Sequence, residues 1–139
     1  MKELTQGAKA NYNGTAFEKQ CEQLFDEYGY DFEVQVPYTN LYGSKRSKMD
    51  IVLSNGLHIE CKSQSGGGSV DEKIPFCLHN LEQFGGGLVI LGGAHWESER
   101  GKTIRKWANE AKASGLFSST MLTFDELSED IEQIIQKIS

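Results

Sequence analysis

The chain has 139 residues, 38% of them apolar and 24% charged, with two prolines and a formal net charge of −6. That length suits one domain with a real core and leaves little room for a second. No run of about 18 apolar residues occurs, which excludes a membrane-spanning helix. The three cysteines, Cys21, Cys61 and Cys77, stand at unrelated spacings, which argues against a disulfide framework and for reduced thiols in the cytoplasm. Taken alone, the negative charge disfavours a nucleic-acid binder, but its distribution matters more than its sum. Seven of the fourteen Lys and Arg residues fall in two windows, Lys45–Lys48 and Arg100–Lys106, while acid gathers near the C-terminus. The chain could thus be polarised, with a basic rim and an acidic back, although each cluster taken alone is more simply a solvated face.

The opening residues 1–14 are polar, lack an apolar signal core, and read as a flexible lead-in to a single domain over 15–139. Thr15 and Glu18 form a T-x-x-E capping box, followed by Phe17, Cys21, Leu24 and Phe25 at helical spacing. That helix should end near Tyr28-Gly29. An alternating strand follows at Phe32–Val36, then a polar connection over Pro37–Lys48 with a basic end. Met49–Ser63 reads as a hairpin. A three-residue turn, Ser54-Asn55-Gly56, with left-handed Gly56 sets Leu53 opposite Leu57 and Asp50 opposite Glu60. Period-two alternation then places Val52, His58 and Lys62 on the same face.

Ser63–Ser69 is a glycine loop. Ser69 and Glu72 resemble a second capping box, but Pro75 predicts one turn at 70–73 and a separate helix from Pro75 to Phe84. The continuous apolar run at Leu88–Leu91 predicts a buried strand. A helix over Gly101–Ala113 carries Ile104, Trp107, Ala108 and Ala111 on one face and Lys102, Arg105 and Lys106 on the other. A short strand ends at Thr123, which caps a last helix through Glu126. Its stripe of Leu127, Ile131, Ile134, Ile135 and Ile138 could pack on the sheet or form a subunit interface. The order predicts an α/β fold, a mixed central sheet flanked by helices.

Two carboxylates facing one way on adjacent strands repel each other unless a cation lies between them. Opposed Cβ atoms about 4.5–5.5 Å apart suit a hard divalent ion such as Mg²⁺, with water and phosphate completing its shell. Lys62, on the same face as Glu60, can orient the attacking water and stabilise charge developing on phosphorus. Asp50, Glu60 and Lys62 therefore form a minimal site for metal-assisted phosphodiester hydrolysis, the bland alternative being an exposed ion cluster.

Asp50, nine residues, then Glu60-Cys61-Lys62 resembles the D…(D/E)-x-K signature of the PD-(D/E)XK nuclease superfamily, with Met49 in place of the signature's proline, a departure that many members share. The order of elements over Thr15–Leu91 resembles that superfamily's α-β-β-β-α-β core, here with an added α-β-α extension. "LYGSKRSKMDIVL" and "IECKSQSGGGSVDEKIPF" resemble small restriction-, homing- and phage-type nucleases. The resemblance implies Asp50, Glu60 and the backbone carbonyl of Cys61 as metal ligands, Mg²⁺ as the cofactor with Mn²⁺ able to substitute, and Lys62 acting on water. It also places Glu18 near the metal, Gln64 against the site or DNA, and Lys73 on a phosphate. The basic residues Lys45, Arg46, Lys48, Arg100, Lys102, Arg105 and Lys106 would hold the DNA backbone.

The expected activity is that of a metal-dependent DNA endonuclease. Cutting both strands would call for a homodimer or higher symmetric assembly. The alternatives are a structure-selective resolvase of four-way junctions, a catalytically idle DNA-binding module, and a protein-interaction domain. His58, Cys61, Cys77 and His79 lack zinc-ligand spacing. The glycine runs lack a phosphate-loop ending. Trp96 and Trp107 read as core or interface residues, with base stacking by Trp96 as the alternative.

Overall fold

A computed structural model of the protein describes residues 6–65 and 70–139. The elements follow in the order α1 (Gln6–Glu27), β1 (Phe32–Tyr38), β2 (Ser47–Leu53), β3 (His58–Ser63), α2 (Val70–Glu82), β4 (Leu88–Gly92), a 3-10 turn (Ala94–Glu97), α3 (Glu99–Ala113), β5 (Thr120–Thr123), α4 (Phe124–Glu129) and α5 (Ile131–Ile138). The five strands form one sheet in sequence order. β1, β2 and β3 are antiparallel neighbours, whereas β3–β4 and β4–β5 are parallel. This is the mixed sheet flanked by helices that the sequence predicts.

The parallel steps need crossovers, and α2 and α3 supply them. Right-handed crossovers in succession along a sheet lay their helices on one face. The core residues divide accordingly. Leu88 and Ile90 of β4 pack with Phe17, Cys21 and Phe25 of α1 and with Leu127, Ile131 and Ile135 of α4 and α5. Val89 and Leu91, pointing the other way, pack with Ile74, Leu78 and Leu81 of α2 and with Ala108 and Ala111 of α3. The apolar stripe of the last helices is thus spent on the sheet.

Several boundaries differ from the sequence reading. The first helix starts at Gln6, so Thr15 and Glu18 lie inside it and cap nothing. The polar segment before Thr15 has no apolar period to announce a helix. The helix does end as expected: Gly29, at φ 78°, sends its N–H to Asp26, and Tyr30 N–H reaches back to Phe25. Pro75 sits within a continuous α2 rather than starting a new helix. Proline removes one helical hydrogen bond, and the buried Ile74, Cys77, Leu78 and Leu81 around it outweigh that loss. Ser69 lies outside the described residues. Thr123 caps α4 with the reciprocal box to Glu126, but the helix breaks at Asp130 and resumes as α5.

Candidate active site

The hairpin between β2 and β3 has the expected three-residue turn. Leu53 N–H donates to the carbonyl of Leu57, Gly56 N–H donates to that of Leu53, and Gly56 takes φ 95°. The register pairs Val52 with His58 and Ile51 with Ile59, and carried one step further it sets Asp50 across from Glu60. There the regular ladder stops. Cys61 N–H, which would seek a carbonyl on β2, donates instead to Asp50 Oδ2 at 2.8 Å. The carboxylate thus fills a backbone partner's place where the two strands part.

The neighbouring strand is irregular at the same level. Gln35 of β1 adopts φ 51°, the only non-glycine residue with positive φ among those described. It faces Asp50 in the gap of an otherwise unbroken register between Val34↔Ile51 and Val36↔Met49. Its side-chain amide lies 3.4 Å from Asp50 Oδ1. The pleat changes sense here. Ile51 packs against α1, while Met49, two residues away, packs against α2. Simple alternation would put both on one side. Asp50 therefore sits at a twist in β2, and a left-handed glutamine is the kind of strained residue that gathers at functional sites.

Glu60, in the middle of β3, is 8% exposed. Burial, the Asp50 charge and a hydrogen bond to Asp50 push its carboxyl up to about 8, against a smaller downward pull from Lys62. Lys62 Nζ stands 3.6 Å from Glu60 Oε2. Burial works against the Lys62 charge, but the Glu60, Cys77 and Asp50 charges outweigh it and hold its pKa above the usual lysine value. The two partners pull in opposite senses, since a neutral Glu60 supports the ammonium less. Lys62 is nevertheless a cation at neutral pH, because its ordinary pKa already lies far above 7. Glu18 on α1 joins the row. Burial raises its pKa first, then the Asp50 and Glu22 charges and a hydrogen bond to Asp50. Glu18, Asp50, Glu60 and Lys62 thus interact in sequence across one end of the sheet.

A family model described as a PD-(D/E)XK nuclease superfamily domain matches residues 2–132. The chain belongs to the PD-(D/E)XK nuclease superfamily. No curated protein and no solved structure matches it. Membership implies a nuclease, with nucleic acid as its substrate, in a superfamily that generally uses divalent metals. The match continues past β4 and α3 to the first residues of α5.

The donor set fits a hard cation. It offers the carboxylate oxygens of Asp50 and Glu60; burial is the first cause of the raised Glu60 pKa, the Asp50 charge adds to it, and a divalent ion would relieve that repulsion. Among the described residues no three His, Cys, Asp or Glu groups close around one point. An open arrangement of two carboxylates leaves positions for water and phosphate.

Beside the row lies a cavity of about 280 Å³ lined by Tyr38, Glu60, Lys62, Lys73, Phe76, Cys77 and Asn80. Lys73 therefore opens onto the same space as Glu60 and Lys62. Tyr38, Phe76 and Asn80 were not legible as site residues. Tyr38 lies in the last two residues of β1, beyond the expected strand end, and α2 was expected in two pieces. The Cys77 thiol, pushed up to about 12 by burial and the Glu60 charge, is inert. Cys61 is likewise held far above its usual value, chiefly by its hydrogen bond with Cys21 and by burial.

The basic residues divide. Lys45 and Arg46, just before β2, and Lys48, its second residue, are exposed. Arg100 is ion-paired to Asp71 of α2. Arg105 is engaged by Glu126 at 2.9 Å and Glu97 at 3.3 Å, and Lys106 lies 3.9 Å from Glu110. Lys102 is exposed beside them. Gln64 follows β3 directly, its N–H donating to Gly92 and its carbonyl accepting from His95. Trp96 is 1% exposed, so the stacking alternative for it fails. His58 stacks on Phe84 and His79 meets Phe117 edge-on, which leaves the zinc pairing without geometry.

Proposed function

We propose that the protein is a metal-dependent DNA endonuclease that hydrolyses phosphodiester bonds. The observation that carries this reading is the meeting of the Asp50 and Glu60 carboxyls at the point where β2 and β3 part, with Lys62 3.6 Å from Glu60. Asp50, Glu60 and the carbonyl of Cys61 would hold Mg²⁺, or Mn²⁺ in its place. When bound, the ion supplies Lewis acidity toward the phosphate and acidifies bound water.

The remaining work belongs to the chain. Lys62 is an ammonium at neutral pH, so it acts as a donor. It orients the attacking water and stabilises negative charge as it grows on the phosphoryl oxygens. It is not the base that removes the water's proton. Glu18, with its raised pKa and its hydrogen bond to Asp50, buffers the charge of the row and can hold a proton there. Gln35 and the Cys61 amide fix the Asp50 carboxylate before substrate arrives, so little reorganisation is needed during reaction. Lys73, at the cavity, Lys45 and Arg46, just before β2, and Lys48, at its start, supply cations for the DNA backbone, with Lys102 and the paired Arg100, Arg105 and Lys106 on α3 as an outer contribution. Cutting both strands would require two copies, in a homodimer or larger symmetric assembly.

The test is cleavage of supercoiled plasmid and of a four-way junction with Mg²⁺, with Mn²⁺ and with EDTA. Metal-dependent nicking that EDTA abolishes supports the proposal. Preference for the junction would make the enzyme a structure-selective resolvase. Failure to cut any DNA, together with failure to bind either metal, would leave a DNA-binding module without catalysis.

A further inference from the structure

The loop joining β1 to β2 holds an aromatic ring out toward solvent. Tyr42 is 79% exposed, more than any other large hydrophobic side chain among the described residues. An exposed ring on a loop is ordinarily mobile, but this one is braced. Its inner face stacks on Phe76 of α2, with centroids 5.2 Å apart and planes 23° from parallel. Its backbone is tied on both sides. Asn40 Oδ1 accepts from the N–H of Tyr42 at 2.9 Å and of Ser44 at 3.1 Å. Leu41 N–H donates to Asn80 Oδ1 at 2.9 Å. Gly43, at φ 89°, closes the turn by donating to the carbonyl of Asn40.

Phe76 and Asn80, the two α2 side chains that carry this loop, also line the cavity that contains Glu60 and Lys62. Tyr42 therefore stands one ring outward from the catalytic cavity. Lys45 and Arg46, exposed on the same loop, bring positive charge beside it. A flat ring with one face covered, the other open, and cations nearby matches a nucleobase with its phosphate. Bases within a duplex already have both faces occupied by their neighbours. Only an unpaired or extruded base can stack on a side chain. Because Phe76 already fixes the ring, binding such a base sacrifices little rotamer freedom.

We propose that Tyr42, backed by Phe76, is a stacking platform for an unpaired base of the DNA strand being cut. The proposal rests on the nuclease reading of Asp50, Glu60 and Lys62 and deepens it. The preferred substrate carries unpaired nucleotides next to the scissile phosphate, as single strands, flaps and branch points do.

The test uses the full chain in EDTA, where no cutting occurs. Fluorescence anisotropy measures binding to a labelled single strand, to the same strand fully paired, and to the same strand with an abasic tract. Wild type should prefer the intact single strand. Tyr42→Ala should weaken single-strand binding by about 10- to 100-fold while changing duplex binding less than about twofold, at an unchanged melting temperature. Tyr42→Trp should bind as wild type does. The abasic tract should erase the difference between wild type and Tyr42→Ala. Unchanged single-strand binding by Tyr42→Ala overturns the platform, as does equal loss on strand and duplex. If wild type still cuts DNA with Mg²⁺ in that case, the nuclease reading stands and only the platform falls. If wild type neither cuts nor binds any DNA, both fall.

Discussion

Glu60 makes the metal-free protein weaker as the pH rises. Its carboxyl titrates near 8 in the fold and near 4.5 in the unfolded chain. The folded protein therefore binds this proton more tightly than the unfolded chain does. The stability so gained is fully present below 4.5 and is lost as pH rises through 8. Over that window the carboxyl's ionisation removes in total roughly 4–5 kcal/mol, of which roughly 3 kcal/mol is already gone at pH 7. Set against a typical domain stability of about 5–15 kcal/mol, this is a large share. Glu18 shifts in the same direction and adds to the trend. Glu60→Gln keeps the shape and removes the titration. Urea unfolding in EDTA at pH 5, 7 and 8.5 should show wild type losing stability across the series. Glu60→Gln should lose at least about 2 kcal/mol less over the same range, the residue of the trend coming from Glu18. If wild type and Glu60→Gln follow the same pH dependence, the carboxyl is not held neutral by burial and Asp50, and the electrostatic account of the site is wrong.

Other expectations follow from the same geometry. Lys62→Met should lower cleavage by at least about 100-fold while leaving DNA affinity within about threefold in filter binding; normal cutting would remove Lys62 from the chemistry. Replacing Lys45 and Arg46 together with alanine should flatten the slope of log affinity against log salt by roughly 2 if both meet phosphates. An unaltered slope would assign them to a solvated face. Gly93→Ala should destabilise the fold by about 1–3 kcal/mol, read as a fall in melting temperature. Gly93 takes φ 97°, and a Cβ there would run into the carbonyl oxygen of Gln64. An unshifted melting temperature would contradict that close approach. Ile135→Ala should cost about 2–5 kcal/mol because the side chain is buried against the sheet.

Much of this site was legible because it depends on local signals. The Ser54-Asn55-Gly56 turn fixes the hairpin register, and the register sets Asp50 against Glu60. The apolar run at Leu88–Leu91 marks the buried strand β4, and the Thr123–Glu126 box marks α4. What escaped depends on the tertiary surroundings. Nothing in a glutamine announces that Gln35 turns left-handed, yet that residue faces the reversal of pleat at Asp50. Pro75 argues locally for a break that buried neighbours prevent. Asp130 lies inside a smooth apolar stripe and still divides two helices. The α3 cations look alike in sequence, but only the folded chain pairs Arg105 with Glu97 and Glu126. Tyr42 and Phe76 are 34 positions apart and meet only because the 39–46 loop folds onto α2.

The central claim is that Asp50 and Glu60 together hold the divalent ion that cleavage requires. Titration of the protein with Mn²⁺, followed by loss of the free-ion paramagnetic resonance signal, tests it directly with wild type, Asp50→Asn and Glu60→Gln side by side. The account predicts saturable binding by wild type that tightens as pH rises toward 8 and levels off above it, and at least about tenfold weaker binding by each variant. Binding by Asp50→Asn and Glu60→Gln as tight as that of wild type would contradict it.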